Sequence, residues 1–344
     1  MVALYITSFE RSSGKTAICA GLGKHLLGDG KKIGFFKPIV ADIKSPPIGA
    51  TDSDAAFIKH VFALEEPVNY LCPVINDHNT LANRIKEAYI EVSRGKDVVI
   101  VEGIWRQRLS GKPIEASFEV VEALDARVII VEGYSKELSR AKFVNTCRDF
   151  GEYLLGVILN KVPESQVEHV RGEMSARFGE ARLDILGVLP EDRVLSMLTI
   201  GELTDYIQGE ILNNAEKSAE LVENLMVGAM CVDSGLEYFS RKANKAAVVR
   251  DDRPDMQLAA LETSTRCLVI SGNTAPIYSV RYRAEDKGIP IILTKNDAST
   301  IVKNIEDALD KARFNQERKL LKLTEIMEQH LNFQAIYRGL GLAK

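Results

Sequence analysis

Short apolar runs alternate along the chain with longer segments in which apolar residues recur every three or four positions. Apolar runs bounded by turn residues indicate buried strands, and the longer period indicates amphipathic helices. Most of the runs are rich in Val and Ile without strict alternation, which is typical of parallel strands covered on both faces. In the first half, strands are predicted at Val2–Ile6, Lys32–Phe36, Val98–Glu102, Val128–Val131, Gly156–Asn160 and Asp184–Val188.

A second strand–helix series follows residue 205, after a partly polar segment, Thr199–Ala219, that is predicted to be a helical connection. Alternation of strands and helices favours parallel α/β architecture. We therefore predict a parallel sheet with helices on both faces in residues 1–205 and a smaller parallel α/β domain in residues 206–312. The second series is predicted to contain strands in Asn224–Val232, Ala246–Val249, Cys267–Ser271 and Pro290–Leu293, and helices at Pro254–Leu261, Ile277–Lys287 and Ala298–Leu309.

Residues 313–344 form a third segment, in which a single long helix is predicted from Arg313 to Ala335. Its apolar residues recur at helical spacing and lie on one stripe. The stripe could pack on the helix's own domain or could form a dimer contact, and the pattern leaves both interpretations open. The stripe consists of Leu320, Leu323, Met327 and Leu331.

The most informative motif is Ser-Ser-Gly-Lys-Thr at residues 12–16, between the first predicted strand and a helix. A strand, a loop ending in Gly-Lys-Thr and a helix form a phosphate-binding P-loop, whose backbone N–H groups hold the anion. Lys15 would reach the β- and γ-phosphates, and the Thr16 hydroxyl would bind Mg²⁺. The strict pattern places Gly where this chain has Phe9, and Ser8 is the nearest small residue. A bland helix start is the alternative interpretation.

Composition excludes several other classes of protein. A chain of 344 residues with 46% hydrophobic and 27% charged residues is typical of a globular protein of two domains. A net charge of −4 gives no basic field, so we expect no nucleic-acid partner. No apolar run reaches the roughly 18 residues of a membrane span, and no signal peptide is evident, so we expect a cytoplasmic protein. Five scattered cysteines without a C-x-x-C pair indicate free thiols.

Charged residues follow other predicted strands at the same edge of the first sheet. Glu102 ends one strand and could reach a metal, and Lys37 follows another and could neutralise phosphate. Asp52 and Asp54 precede a helix near Ala55, where one acid is expected to be the N-cap and the other could be a second metal carboxylate. For each of these residues, a solvated or capping role is the alternative.

The first 200 residues resemble the dethiobiotin synthetase-like P-loop group, which includes the N-terminal domain of long bacterial phosphate acetyltransferases. The resemblance rests on six motifs in the expected order, at residues 13–16 (Ser-Gly-Lys-Thr), 34–38 (Gly-Phe-Phe-Lys-Pro), 53–55 (Ser-Asp-Ala), 101–103 (Val-Glu-Gly), 160–163 (Asn-Lys-Val-Pro) and 187–190 (Gly-Val-Leu-Pro). It implies that Lys15, Thr16 and Lys37 contact phosphate and that Asn160 contacts the purine. It also implies that Asp54 and Glu102, with Thr16, carry Mg²⁺. A strand-end cap is the alternative role for Asn160.

Residues 215–310 resemble a DRTGG domain, which follows the P-loop domain in the same acetyltransferases. The related residues are Asp252-Arg253 and Ser271-Gly272-Asn273, with Glu223-Asn224 and residues 227–230 at the domain's start. A turn such as Gly272-Asn273 could hold an anion or could be purely structural.

These observations leave three functional hypotheses. The leading one is a regulatory protein that binds Mg·ATP, with Lys15 and Lys37 as candidate catalytic residues for slow hydrolysis and a partner enzyme in acetyl-CoA or acyl-phosphate metabolism. The resemblance also implies a homodimer, and it implies that the residues matched do not transfer acetyl groups by themselves. The candidate nucleotide contacts are Ser12, Ser13, Gly14, Lys15, Thr16, Ala17, Lys37 and Asn160.

The second hypothesis is an ATP-dependent ligase that passes the γ-phosphate to a carboxylate or carbamate. It requires a pocket beside Lys37 lined by Asp42, Glu102 and Arg106. Bulky residues at 104–106, where the synthetases have a glycine-rich run, favour the regulator over dethiobiotin synthesis. The third hypothesis is an assembly module with a degenerate nucleotide site, which Ser8 and Phe9 favour.

Overall fold

A computed structural model describes residues 1–10, 12–40, 52–75, 81–103, 113–135, 141–181, 183–228, 235–309, 314 and 316–342. The chain divides into two compact units, Met1–Asp192 with Phe314–Lys344, and Arg193–Arg313. None of the helices in the described ranges has the length and apolar character that a membrane crossing would require. The four cysteines described are free and buried, as predicted.

The first unit is built on a six-stranded sheet whose strands follow the predicted apolar runs to within two residues at each end. The described strands of the first unit, of which β3 and β4 lie outside the six-stranded sheet, are β1 (Val2–Thr7), β2 (Ile33–Phe36), β3 (Ile39–Val40), β4 (Val74–Ile75), β5 (Val98–Glu102), β6 (Arg127–Gly133), β7 (Leu154–Val162) and β8 (Ile185–Pro190). Its first helices are α1 (Lys15–Gly28), α2 (Ser53–Phe62), α3 (Val68–Leu71), α4 (Leu81–Ser93), α5 (Pro113–Leu124), α6 (Ala141–Arg148) and α7 (Val167–Glu180).

The sheet has the strand order β2-β5-β1-β6-β7-β8, and its paired strands are parallel. Strands β3 and β4 form a separate parallel pair. Each of β1, β5 and β6 buries at least four consecutive residues, as the Val- and Ile-rich runs predicted for strands with both faces covered. The predicted α/β class is thus confirmed.

The second unit contains the second predicted series and two further short pairings. Its strands are β9 (Leu198–Thr199), β10 (Glu210–Ile211), β11 (Leu221–Val222), β12 (Asn224–Gly228), β13 (Lys245–Arg250), β14 (Thr265–Ser271) and β15 (Ile291–Thr294). Its helices are α8 (Arg193–Ser196), α9 (Ile200–Tyr206), α10 (Gly235–Ser240), α11 (Pro254–Leu261), α12 (Tyr278–Asp286) and α13 (Ala298–Leu309).

The five-stranded sheet of this unit has the order β10-β15-β14-β13-β12. Alternate residues of its strand β13 enter two separate cores, Ala246 and Val248 one of them and Ala247 and Val249 the other. The sheet is therefore covered by apolar side chains on both faces, as the pattern predicted.

The connection Thr199–Ala219 differs from the predicted helical segment. Only α9 is an α-helix, and its N-terminus is fixed by a capping box between Thr199 and Glu202. Residues 210–211 then pair with β15 as an antiparallel edge strand, so the sheet is not wholly parallel. Leu198, Ile200 and Leu203 are buried in a core of the second compact unit, which begins at Arg193. The domain boundary predicted at residue 205 stays a prediction.

The C-terminal segment forms two helices, α14 (Glu317–His330) and α15 (Phe333–Gly339), where one long helix was predicted. The helix stops because Leu331 forms an isolated bridge with Gly187 at β8, and the Asn332 side chain caps the following helix. The predicted apolar stripe is buried and α14 packs on α1 of the first unit. The interpretation that the stripe packs on its own chain is therefore confirmed.

Candidate functional site

The site lies at the carboxyl edge of the first sheet, where β1, β2 and β5 end side by side. The P-loop follows β1, Lys37 follows β2 and Glu102 is the last residue of β5. Because β5 lies between β2 and β1, the parallel order brings these three points together. Ligands of open α/β sheets bind at this edge.

The P-loop turns into α1 at Gly14, which has a φ of 97° and serves as the N-cap. Asn160, at the end of β7, donates from Nδ2 to the Ser13 carbonyl at 2.9 Å. A Cβ on residue 14 would lie 2.3 Å from Asn160 Nδ2, so only glycine fits here. The loop's second half is therefore held by Asn160, which is itself buried. The predicted contact of Asn160 with a purine stays a prediction.

Lys15 begins α1 and donates from Nζ to Ser8 Oγ at 2.6 Å. Burial lowers the pKa of the Lys15 ammonium, and the negative charges of Glu102 and Glu132 oppose that shift. Ser13 Oγ is buried and has no hydrogen-bond partner among the described residues. An unpaired buried hydroxyl in a P-loop is a group that a phosphate oxygen could satisfy. Of the remaining predicted contacts, Ser12 adopts a φ of 55° and Ala17 is buried in the first turn of α1.

Lys37 is surrounded by carboxylates. Its Nζ lies 2.8 Å from Asp54 Oδ2, 3.2 Å from Asp52 Oδ1 and 3.5 Å from Glu102 Oε1. Burial alone would lower the pKa of Lys37, but the three carboxylates outweigh it and raise the pKa above its ordinary value. Lys37 is therefore charged at neutral pH.

The two acids before α2 have different partners. Asp52 is the N-cap of α2 and accepts from the Ala55 N–H at 2.8 Å, as predicted for one of the pair. Asp54 does not cap the helix and points to Lys37. Asp54 is thus the acid that remains for the second carboxylate of a metal site.

Glu102 is the deepest member of the cluster, with only 5% of its surface exposed. Its Oε1 accepts from Thr16 Oγ1 at 3.0 Å, whereas Oε2 is buried without a partner among the described residues. Burial raises the pKa of Glu102, and Lys37, Thr16 and Lys15 oppose the shift. An unpaired buried carboxylate oxygen beside a hydroxyl and a second carboxylate fits a Mg²⁺ ion, which prefers oxygen ligands. Thr16, Asp54 and Glu102 are the residues that would hold it.

Glu132 is a site residue that the sequence analysis missed. It lies near the end of β6, is buried, and accepts a hydrogen bond from the Phe9 N–H of the P-loop. Burial raises its pKa to about 7, and the Phe9 N–H opposes the shift. The signal that singled out Glu102, an acid at the carboxyl end of a buried strand, applies equally here. Our predicted strand stopped at Val131, one residue too early to reveal it.

The turn predicted as a possible anion site in the second unit is occupied by a side chain of the chain itself. The Asp251 carboxylate accepts from the backbone N–H groups of Asn273 and Thr274, at 3.1 and 3.0 Å. These hydrogen bonds hold the pKa of Asp251 below its ordinary value. Gly272, with a φ of 145°, approaches so closely that a Cβ would lie 2.2 Å from the Asp251 carboxyl group. The turn is therefore structural in this state. Arg253 of the Asp-Arg pair bonds to Asp255.

Two residues that the ligase hypothesis invoked, Asp42 and Arg106, lie outside the described residues. The pocket beside Lys37 that a ligase would need is therefore represented only by Glu102.

These features define a P-loop nucleotide-binding domain. A buried strand is followed by a loop that turns at Gly14 into α1, which begins with Lys15 and Thr16, and the neighbouring strand ends in the acidic residue Glu102. The chain belongs to the AAA domain family, whose sequence profile matches residues 2–198. The profile of the DRTGG domain matches residues 202–308. Both domains predicted from the motifs are thus confirmed.

Longer proteins are similar to this chain along nearly its whole length. The phosphate acetyltransferase of Nitratidesulfovibrio vulgaris is 22% identical over 358 residues, covering 96% of this chain and 50% of that enzyme. The Pseudomonas aeruginosa phosphate acetyltransferase is 23% identical over 361 residues, covering 95% and 50%. The chain therefore spans about half the length of the curated relatives it matches, consistent with the N-terminal region predicted. Among solved structures, the MinD cell division protein of Aquifex aeolicus is 20% identical, with a TM-score of 0.36, covering 56% of this chain and 83% of that one.

Proposed function

We propose that the chain is a cytoplasmic Mg·ATP-binding regulatory protein that acts on an enzyme of acetyl-CoA or acyl-phosphate metabolism. The observation that carries this proposal is the convergence of five side chains at one sheet edge, namely Lys15, Thr16, Lys37, Asp54 and Glu102. Its metabolic setting is supported by the relation to phosphate acetyltransferases over half their length.

The cationic residues of the site would bind phosphate, and the hydroxyl and carboxylate groups would bind the metal. Lys15 and Lys37 place two positive charges at the P-loop, where phosphate oxygens would replace Ser8 and the carboxylates as their partners. Thr16 and Glu102, already hydrogen-bonded, are set to orient the metal. Bound Mg²⁺ would neutralise phosphate charge and order the phosphate oxygens. Slow hydrolysis would also require a water molecule positioned to attack the γ-phosphate.

The second unit would transmit the nucleotide's presence to a partner, by contact with that enzyme or with a second copy of this chain. The DRTGG profile over residues 202–308 supports this role, because the similarity to the relatives extends over this segment as well as over the P-loop domain. The homodimer implied by the resemblance is part of the proposal.

The test is calorimetric titration of the full chain with ATP in the presence of Mg²⁺. Micromolar binding is expected for the parent, with loss of binding in Lys15→Ala and retention in Lys24→Ala, an exposed lysine on the same helix. Circular dichroism would verify that the variants fold. Absence of binding in the parent would overturn the proposal and favour the assembly module. Stoichiometric consumption of ATP with a carboxylate substrate would favour the hypothesis of an ATP-dependent ligase over that of a regulatory protein.

A further inference from the structure

The carboxylates around Lys37 form a cage that is fixed before any ligand binds. Asp52 is held as the N-cap of α2, and Glu102 is held by the Thr16 hydroxyl. The Lys37 backbone N–H donates to the Leu71 carbonyl at 2.7 Å, which fixes the root of its side chain. Two of the three acids around the ammonium group, Asp52 and Glu102, therefore have partners that do not depend on Lys37.

An ammonium group and a metal ion would compete for this cage. Lys37 Nζ stands 2.8 to 3.5 Å from the three carboxylate oxygens, whereas Mg²⁺ requires oxygens at roughly 2.0–2.1 Å. Among the described residues, no three His, Cys, Asp or Glu side chains are close enough together to hold a metal. The distances from Lys37 Nζ to the carboxylate oxygens are those of ion pairs with an ammonium group. Two cations in the cage would also repel each other.

A second observation concerns a carboxylate oxygen of the cage that Lys37 does not contact. Glu102 Oε2 is buried and has no hydrogen-bond partner in the described part of the chain. Only Oε1 of this carboxylate is engaged, by Thr16 and Lys37. A buried oxygen without a partner costs free energy that a cation ligand would recover.

We propose that Lys37 is an internal counter-cation, which closes the cage to divalent cations until the phosphates of a nucleotide draw its ammonium group away. The proposal rests on the proposed nucleotide site and adds the order of events. Phosphate oxygens give Lys37 a new anionic partner, and its four-carbon stem allows the ammonium group to move. The carboxylates of Asp54 and Glu102 are then free, so the metal enters with the nucleotide and not before it.

The test uses Mn²⁺ as the probe and no nucleotide. Free Mn²⁺ is measured by electron paramagnetic resonance during titration of the full chain. The parent is expected to bind Mn²⁺ weakly, and Lys37→Met to bind it at least about tenfold more tightly, because one positive charge has left the cage. Lys37→Arg keeps that charge and is expected to stay as weak as the parent. Lys24→Met controls for the loss of a surface lysine.

A stability measurement keeps the test decisive if Lys37→Met is poorly folded. Its melting temperature should rise with added Mg²⁺ in the absence of nucleotide, since binding to the folded state alone stabilises it. The parent and Lys37→Arg should show no such rise. Adding Asp54→Asn to Lys37→Met should abolish both gains.

Two results would overturn the proposal. One is tight Mn²⁺ binding by the parent without nucleotide, and the other is equal Mn²⁺ affinity in the parent and Lys37→Met. Either result leaves the calorimetric test of ATP binding unaffected, so failure of this proposal is distinct from failure of the proposed function.

Discussion

Replacing Asn160 by Ala tests whether this side chain holds the P-loop or contacts a base. Its Nδ2 donates to the Ser13 carbonyl at 2.9 Å and lies where a Cβ on Gly14 would be. Asn160 is 7% exposed, so water does not simply replace it. Alanine would remove the hydrogen bond and leave the Ser13 carbonyl without this donor.

The magnitude follows from that hydrogen bond. Leaving a buried acceptor unsatisfied costs about 1–3 kcal/mol, and we expect the free energy of unfolding to fall by this amount. If the substitution destabilises the complex with a phosphate ligand by about 1.4 kcal/mol more than it destabilises the free protein, ligand affinity drops about tenfold. Because the loop contacts phosphate, ATP, GTP and inorganic tripolyphosphate should weaken by the same factor.

The assay is titration calorimetry with those three ligands and Mg²⁺, together with urea unfolding. Asn145→Ala, which changes an exposed asparagine of the same unit, is the matched control and should change neither quantity. A selective loss of ATP binding, with GTP and tripolyphosphate unchanged, would refute the loop argument. It would instead support the purine contact that the resemblance implies.

Two further perturbations probe the same unit. Gly23→Ala should lower the free energy of unfolding by about 1–2 kcal/mol, because its Cβ would lie 2.0 Å from the Phe62 ring and this crowding outweighs the gain in helix propensity. The control is Gly28→Ala, which has open space around it and should not destabilise the protein. Equal stabilities of the two variants in urea unfolding would contradict this prediction. Glu132 has a folded pKa of about 7 against an ordinary 4.5. The folded state therefore binds more protons between these values, and the stability of the parent relative to Glu132→Gln should fall by about 3 kcal/mol from pH 4.5 to 7. Unfolding curves at a series of pH values, with Glu122→Gln, an exposed glutamate of the same unit, as control, measure that difference, and a pH-independent difference would show that Glu132 ionises normally.

Much of the fold could be predicted because its strands are covered on both faces. Runs such as Val98–Val101 are apolar and buried at every position, so strand positions and the α/β class follow directly from the pattern. The C-terminal helix break could not be predicted, since Leu331 continues the apolar stripe and only its bridge to Gly187 stops the helix. The short strand at residues 210–211 likewise depends on its partner β15 and has no apolar run of its own.

The sequence motifs indicated several residues of the candidate site, but not the contacts between them. Motifs identified Lys15, Thr16 and Glu102, because acids and glycine-turned loops at strand ends have few other uses. They could not reveal that Lys37 pairs with the acids, since this contact joins residues separated by long stretches of chain. Nor could they show that Asn160 supports the P-loop from β7.

The two cationic residues expected to contact phosphate have partners within the chain itself. Lys15 bonds to Ser8 and Lys37 to three carboxylates, while Asp251 fills the turn of the second unit. Binding of a phosphate ligand is then an exchange of partners, so its affinity depends on the difference between internal and ligand contacts. Ser13 Oγ and Glu102 Oε2, which have no hydrogen-bond partner within the described ranges, are groups that would gain a partner from the ligand without first losing one there. Ser13→Ala and Glu102→Gln should therefore weaken binding of ATP with Mg²⁺ in calorimetric titration, although Ser13 Oγ and Glu102 Oε2 have no partner among the described residues.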